Sequence, residues 1–310
     1  MSTLPFIWRM VMDKIIVRMR GGLGNQLFII AFAYKIATEQ HKHVEMVLDI
    51  REYEKYKVRN FELLNMLEDG TIRFYDKDID YSVKYEITRK AYHLLQKFIP
   101  SQKKMSKSLS KNGCYHSKRS AQGYCISNKK DVYIYGYFQD AIMAFEAKNT
   151  LLSHLKLPIV NKYSIDASQK YLAVSIRCGK DYLSQGWPIC SSGYFNSAIN
   201  EIITEKYMKQ NINILIFSDD IRVAKQMCGI TQKDVITKYI EGLSAPEQLS
   251  LMSKCDDFVL SNSSFSWWGA FLGVKMDSII IVPDVWYDTR ENTSKTLITY
   301  KNIRIRKIHT

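Results

Sequence analysis

Three polar clusters, each directly after a run of strand-forming residues, carry groups that could hold an anionic leaving group: Arg177 with Lys180 and Asp181, Asp219 with Asp220, and Asn262 to Ser266. An arginine in that position offers a planar, permanent cation that can bind a diphosphate through two parallel hydrogen bonds. The third cluster reads as a buried strand (Phe258, Val259, Leu260), a polar turn and a helix start, because Phe265, Trp268, Phe271 and Leu272 recur at helical spacing. Unpaired amides and the dipole at such a start hold phosphate without a metal. Asp219 or Asp220 could accept two N–H bonds from a guanine edge, and one of the two is expected to cap the segment beginning at Ile221. Each cluster also has a plain structural reading: a salt bridge from Arg177 to Asp181 or another carboxylate, a capped helix at 221, and an ordinary aromatic-faced helix after 263.

Other candidate features are weaker. GGLGN at 21 to 25 is neither G-x-G-x-x-G nor a Walker A sequence, so alone it reads as a tight strand-to-helix turn. Asp76, Asp78 and Asp80 could hold Mg²⁺ or Mn²⁺ against a diphosphate or form a plain acidic turn, and the acidic turn is the expectation. Tyr53, Tyr56, Tyr75, Tyr81, Tyr85 and Trp187 could stack on sugar rings or simply pack. The six cysteines (Cys114, Cys125, Cys178, Cys190, Cys228, Cys255) form no C-x-x-C pair, which signals neither zinc nor a redox motif and suits reduced thiols.

These groups need a scaffold, and the periodicity supplies one. From about residue 165, strands at 171–176, 213–217, 257–260 and 278–282 alternate with helices at 194–208, 245–254 and 264–272, the pattern of a parallel sheet flanked by helices. In such sheets ligands sit beyond the carboxyl ends of the strands. Near the start, a strand at Ile15 to Val17 leads through the glycines into a helix from Gln26 to about Glu39 that is apolar almost all round, hence buried on several sides. Strands at 44–49 and 131–137 enclose a less legible span in which Ser106 to Ser110 with Asn112 and Gly113 reads as loop. The 310 residues suit two domains, 1–160 and 161–310.

The net charge of +13 is uneven: between Lys84 and Lys130 there are twelve Lys or Arg and one acid, Glu86. That span could face an anionic membrane or a phosphate-bearing acceptor, or be a solvated insertion; no RNA-binding or zinc-finger signature supports nucleic acid. The apolar opening Leu4 to Trp8 is broken by Arg9 and is far shorter than the roughly 18 residues a membrane span requires, so a cytoplasmic chain, peripheral on the membrane at most, is expected.

GGLGNQLF (21 to 28), IFSDDI (216 to 221), LMSKCDDFVLSNSSFSWWGAFLG (251 to 273) and VPDVWYD (282 to 288) resemble the signature segments of glycosyltransferase family 11, the α-1,2-fucosyltransferases, and of its bacterial O-antigen and capsule members above all. The resemblance implies an α/β, GT-B-like arrangement of two Rossmann-like lobes, with the C-terminal lobe holding GDP-β-L-fucose. It implies inverting transfer to the 2-hydroxyl of a terminal galactose, on an oligosaccharide that could be lipid-linked, without a cofactor or an essential metal. Donor contacts are then expected from Gly21, Gly22, Asn25, Gln26, Ser175, Arg177, Lys180, Asp219, Asp220, Asn262, Ser263, Ser264, Phe265 and Ser266, with Arg177 and Asp181 as the catalytic pair. Trp267 and Trp268 are expected to pack the helix instead of touching sugar.

One segment departs from the family pattern H-x-R-R-G-D-Y. Here SIRCGKDY puts Ser175 at the histidine, Cys178 at the second arginine and an extra Lys180 before Asp181. Lys180 is expected to restore the lost charge, and Asp181 to act either as general base or as the partner of Arg177. The same departure keeps open a related transferase for another nucleotide sugar and a catalytically inactive GDP-sugar- or carbohydrate-binding protein.

Overall fold

A computed structural model describes residues 13–40, 44–56, 60–68, 72–74, 102–117, 123–184, 186–208, 210–230, 235–286 and 303–306, with a few single positions besides. Asp76, Asp78, Asp80, Tyr75, Tyr81 and Tyr85 lie outside them, as does most of the 84–130 Lys-rich span before residue 102.

The expected two Rossmann-like lobes are present. Strands β1 (Asp13–Arg18), β2 (Val44–Asp49), β3 (Ile72–Phe74), β4 (Cys114–Ser117) and β5 (Val132–Gly136) form one sheet in the order β3-β2-β1-β5-β4, with every neighbouring pair parallel. Strands β6 (Lys170–Ile176), β7 (Ile212–Ser218), β8 (Val235–Tyr239), β9 (Asp257–Leu260), β10 (Ile280–Pro283) and β11 (Ile303–Arg306) form a second, also parallel, in the order β11-β10-β9-β6-β7-β8. The central strands are continuous apolar runs because both faces are covered; β6 is buried from Tyr171 to Ile176.

Strand order fixes where a ligand can enter. In the first sheet the chain winds outward one way from β1 and lies on the other side at β5; in the second it does so from β6 and β9. The crevice of each sheet therefore opens at the carboxyl ends of β1/β5 and of β6/β9.

The lobes are joined by shared packing. Helix Leu23–Gln40, which follows β1, is buried along most of its length, as its all-round apolar sequence requires. Its Phe28 ring lies 4.8 Å from Trp267 and 5.0 Å from Trp268 of the helix Ser264–Gly273, which follows β9. Both tryptophans are fully buried, and one apolar core runs from β1 and β5 through these two helices to β9.

The middle of the N-terminal lobe differs from its sequence reading. Residues 106–110 belong to a helix, Gln102–Lys111, instead of a loop. Met105 is buried and Leu109 packs against Cys114 and Tyr135, so two apolar residues four apart suffice to anchor a helix whose Lys and Ser content read as loop. Strands β4, β8 and β11 had no readable signal: they are short, and β8 alternates between partly buried and exposed residues.

Candidate active site in the cleft between the lobes

The two crevices face each other and enclose a cavity of about 520 Å³. The N-terminal lobe contributes Gly22, Leu23, Gly24 and Asn25 after β1, Glu62, and Tyr137 and Gln139 after β5. The C-terminal lobe contributes Ser175, Ile176 and Arg177 from the end of β6, Phe217 to Asp219 from β7, and Asn262 to Phe265 from the turn after β9, with Tyr182, Trp187, Ala245, Gln248 and Trp286 around them.

Two helix starts meet at this cavity. Ser264 Oγ donates to Asn25 Oδ1 at 3.0 Å, and Gln139 Nε2 donates to the same oxygen. Gly24 permits the approach: a Cβ there would lie 2.4 Å from the backbone nitrogen of Phe265. Ser263 occupies the N-cap position of the helix Ser264–Gly273 but makes no side-chain capping bond. Phe138, between two cavity residues, takes a positive φ of 49° while its ring stacks 4.1 Å from Phe32, a costly conformation for a bulky residue that turns Tyr137 and Gln139 toward the cleft.

Arg177 is held from two sides. Its Nη1 donates to Asp219 Oδ2, and its guanidinium lies 5.3 Å from the centre of the Tyr182 ring. Tyr182 stacks in turn on Trp187, with ring centres 6.3 Å apart, and donates from its hydroxyl to Asn262 O at 3.1 Å. Burial pushes the Tyr182 phenol well above its ordinary range, so it serves as a donor and not as an anion. Asp219 also accepts from Cys178 N and Gly179 N, both at 2.9 Å.

The sequence-derived site residues separate into two groups. Gly22, Asn25, Ser175, Arg177, Asp219, Asn262, Ser263, Ser264 and Phe265 line the cavity. Asn262 does so while its side-chain amide donates to Pro188 O and Trp286 O, so that amide ties loops together. Asp219 lines it too, but its carboxylate is spent on the 177–179 turn.

Gly21, Gln26, Lys180, Asp220 and Ser266 are not among the residues lining the cavity. Gly21, at φ +75°, makes the turn, and its carbonyl accepts from Tyr53 Oη and Gln26 Nε2. Gln26 is fully buried; Nε2 also donates to Asn60 O while Oε1 accepts from Glu62 N and Leu63 N, which makes it a clamp on the 60–63 segment. Ser266 is fully buried and donates to Ser263 O at 3.1 Å, because one residue further along the first turn its side chain points back into the helix. Asp220 caps the helix Ile221–Met227 by accepting from Val223 N at 3.1 Å, so it is the capping member of the aspartate pair. Lys180 is exposed at the start of the helical turn Lys180–Leu183 and does not line the cavity, so any charge it supplies in place of the second arginine would act from outside the lining. Cys178 is buried with its sulfur 3.4 Å from Ser218 Oγ, and burial raises its thiol pKa, so a neutral packing group stands where the family has a second arginine. Asp181 lies in the same helical turn, and its side chain is outside the described residues.

Sequence reading did not name Glu62, Tyr137, Gln139, Gln248 or Trp286 as site residues: Glu62 and Gln139 lie in segments with no periodic pattern, Tyr137 ends the strand read at 131–137, Gln248 sits on the helix read at 245–254, and Trp286 lies within VPDVWYD. Tyr182 had a signal, since it closes the SIRCGKDY segment.

Two Rossmann-like lobes closing on a cleft lined by an arginine and a helix start form a GT-B-like arrangement. The chain belongs to glycosyl transferase family 11, whose model matches residues 14–303. It is 28% identical over 96% of its length to an α-1,2-colitosyltransferase of Escherichia coli, covering 100% of that protein. It is 26% identical over 91% of its length to the O-antigen biosynthesis glycosyltransferase WbnK of Escherichia coli, covering 98% of it. Among solved structures it shares its fold with the fucosyltransferase NodZ from Bradyrhizobium, at a TM-score of 0.52 and 15% identity, over 84% of this chain and 93% of that one.

Proposed function

We propose that the protein transfers a deoxyhexose, with inversion, from a GDP-activated donor to the 2-hydroxyl of a terminal galactose in a bacterial surface glycan. L-Fucose from GDP-β-L-fucose is the leading donor sugar. Support comes from family membership, from the signature segments, and from NodZ, whose structure was determined after soaking with GDP-fucose. The observation that carries the proposal is the convergence of Arg177 and the 263–265 helix start on one wall of the cleft. That wall would neutralise the charge that grows on the departing diphosphate, and removing one preorganised donor of this kind costs about 2.7 to 4 kcal/mol of barrier.

Colitose is the second reading, because a relative over the whole chain is an α-1,2-colitosyltransferase. Colitose lacks the 3-hydroxyl of fucose, so the two donors differ by one polar group. A site that hydrogen-bonds that hydroxyl would prefer fucose by about 10⁴ to 10⁵, and one lined by apolar groups would discriminate only weakly. Transfer assays with GDP-fucose, GDP-colitose and GDP-mannose on galactosides, read by product mass and NMR linkage, decide between them. Transfer from neither deoxy sugar, together with no rise in melting temperature on adding GDP, overturns the donor reading.

We further propose that no metal is required, since Arg177 and helix amides supply the positive charge; full transfer activity in EDTA is the expected result. No described helix is long and apolar enough to cross a membrane. A lipid-linked acceptor would be met through peripheral contact, for which Lys104, Lys107 and Lys111 of the helix Gln102–Lys111 provide a basic face. Sedimentation that shows no preference for anionic over neutral vesicles would remove this part.

A further inference from the structure

An inverting displacement needs a proton acceptor on the side of the sugar opposite the leaving group. If Arg177 and the 263–265 helix start hold the diphosphate, that group must come from the facing wall, which the N-terminal lobe builds. Among the described residues, the acidic ones lining the cavity are Asp219 and Glu62. Asp219 stands beside Arg177 on the diphosphate wall, and both its oxygens are taken up by Arg177 and two backbone amides, so neither is aimed at an acceptor hydroxyl. The remaining lining groups that titrate, Tyr137 and Tyr182, are phenols, and Tyr182 donates its proton to Asn262 O.

Glu62 is placed with care. The fully buried Gln26 accepts from Glu62 N and Leu63 N at 3.1 and 3.0 Å and donates to Asn60 O and Gly21 O at 2.9 and 3.0 Å. A single side chain thus pins both the glycine turn and the backbone that carries the carboxylate. Burial obliges the amide to satisfy all its donors and acceptors, and the partners it takes are the glycine turn and the Glu62 backbone, which is why it sits where the sequence suggested a donor contact.

We propose that Glu62 is the general base of the transfer and Gln26 the residue that positions it. The acceptor hydroxyl oxygen forms a bond to the anomeric carbon as the bond from that carbon to the diphosphate oxygen breaks. The electron pair leaves with the diphosphate, and the hydroxyl proton passes to the Glu62 carboxylate. This rests on the proposed nucleotide-sugar reading.

The test compares wild type, Glu62→Gln and Asp181→Asn. Glu62→Gln should melt within a degree or two of wild type, keep the rise in melting temperature with GDP and keep the donor KM. Its kcat should fall on the order of 10² to 10⁴, and the acidic limb of its pH profile should disappear. Formate should partly restore Glu62→Ala. A GDP-binding Glu62→Gln that keeps near-normal kcat, or keeps the acidic limb while Asp181→Asn loses it, overturns the assignment and leaves the donor reading intact. A wild-type protein whose melting temperature does not respond to GDP overturns the donor reading, and this assignment with it.

Discussion

At the scale of single residues, the site shows how a cation is aimed. Arg177 is gripped by Asp219 on one side and by the Tyr182 ring on the other, so its orientation is settled before any ligand binds. Arg177→Ala should lower transfer on the order of 10² to 10³ with little change in melting temperature, because a preorganised donor to the leaving group is lost. Arg177→Lys should be nearly as damaging, since an ammonium reproduces neither the planar fork nor the stacking on Tyr182. Steady-state kinetics check both. Asp219→Asn should also lose activity, because the amide NH₂ would face either Cys178 N or both Arg177 and Gly179 N, donors that need an acceptor. Lys180→Ala, by contrast, should leave donor KM and kcat within about twofold, as an exposed lysine outside the cavity lining contributes only a screened charge. A large effect there would mean that the 180–183 turn rearranges when donor binds.

At the scale of elements, the site depends on two helices starting in the same place. Helix Leu23–Gln40 and helix Ser264–Gly273 meet with Gly24 against the Phe265 backbone, and Asn25 bonded to Ser264. Glycine inside a helix normally costs about 1 kcal/mol relative to alanine, so replacing it elsewhere would stabilise. Here a Cβ would sit 2.4 Å from a backbone nitrogen that no side-chain rotation can move. Gly24→Ala should therefore destabilise by about 1 to 3 kcal/mol, measurable by denaturant unfolding. It should also weaken the stabilisation by GDP, as the two starts are pushed apart. A stabilised variant would show that the helices can separate freely.

At the scale of the whole molecule, the lobes share one core, and this constrains how they move. Phe28 of the first lobe is sandwiched with Trp267 and Trp268 of the second, all three fully buried. Heating should produce one calorimetric transition instead of two, because neither lobe can expose this surface without the other. Phe28→Ala should cost about 3 to 5 kcal/mol and move that single transition down without splitting it. Two resolved peaks in the wild type would show that the lobes unfold independently.

Four of the six strands of the C-terminal sheet, the buried helix after the glycine turn, and the clusters at 177, 219 and 262 to 265 are legible in the residues alone. These features are local: apolar periodicity, a capping turn and a strand end are read from neighbouring residues. The sequence also marked Trp267 and Trp268 as packing groups, which their complete burial bears out. Which polar residues face the cleft was decided only by tertiary structure. Ser266 and Gln26 carry suitable groups, yet the helix phase turns the first inward and the 60–63 segment claims the second. Glu62 and Gln139 have no local signal: the order of β1 and β5 brings Gln139 to the cavity, and the Gln26 clamp brings Glu62. The reason is physical: a side chain's type and spacing set what it can bond, but partners from distant strands compete for those bonds, and only the folded chain shows which partner takes them.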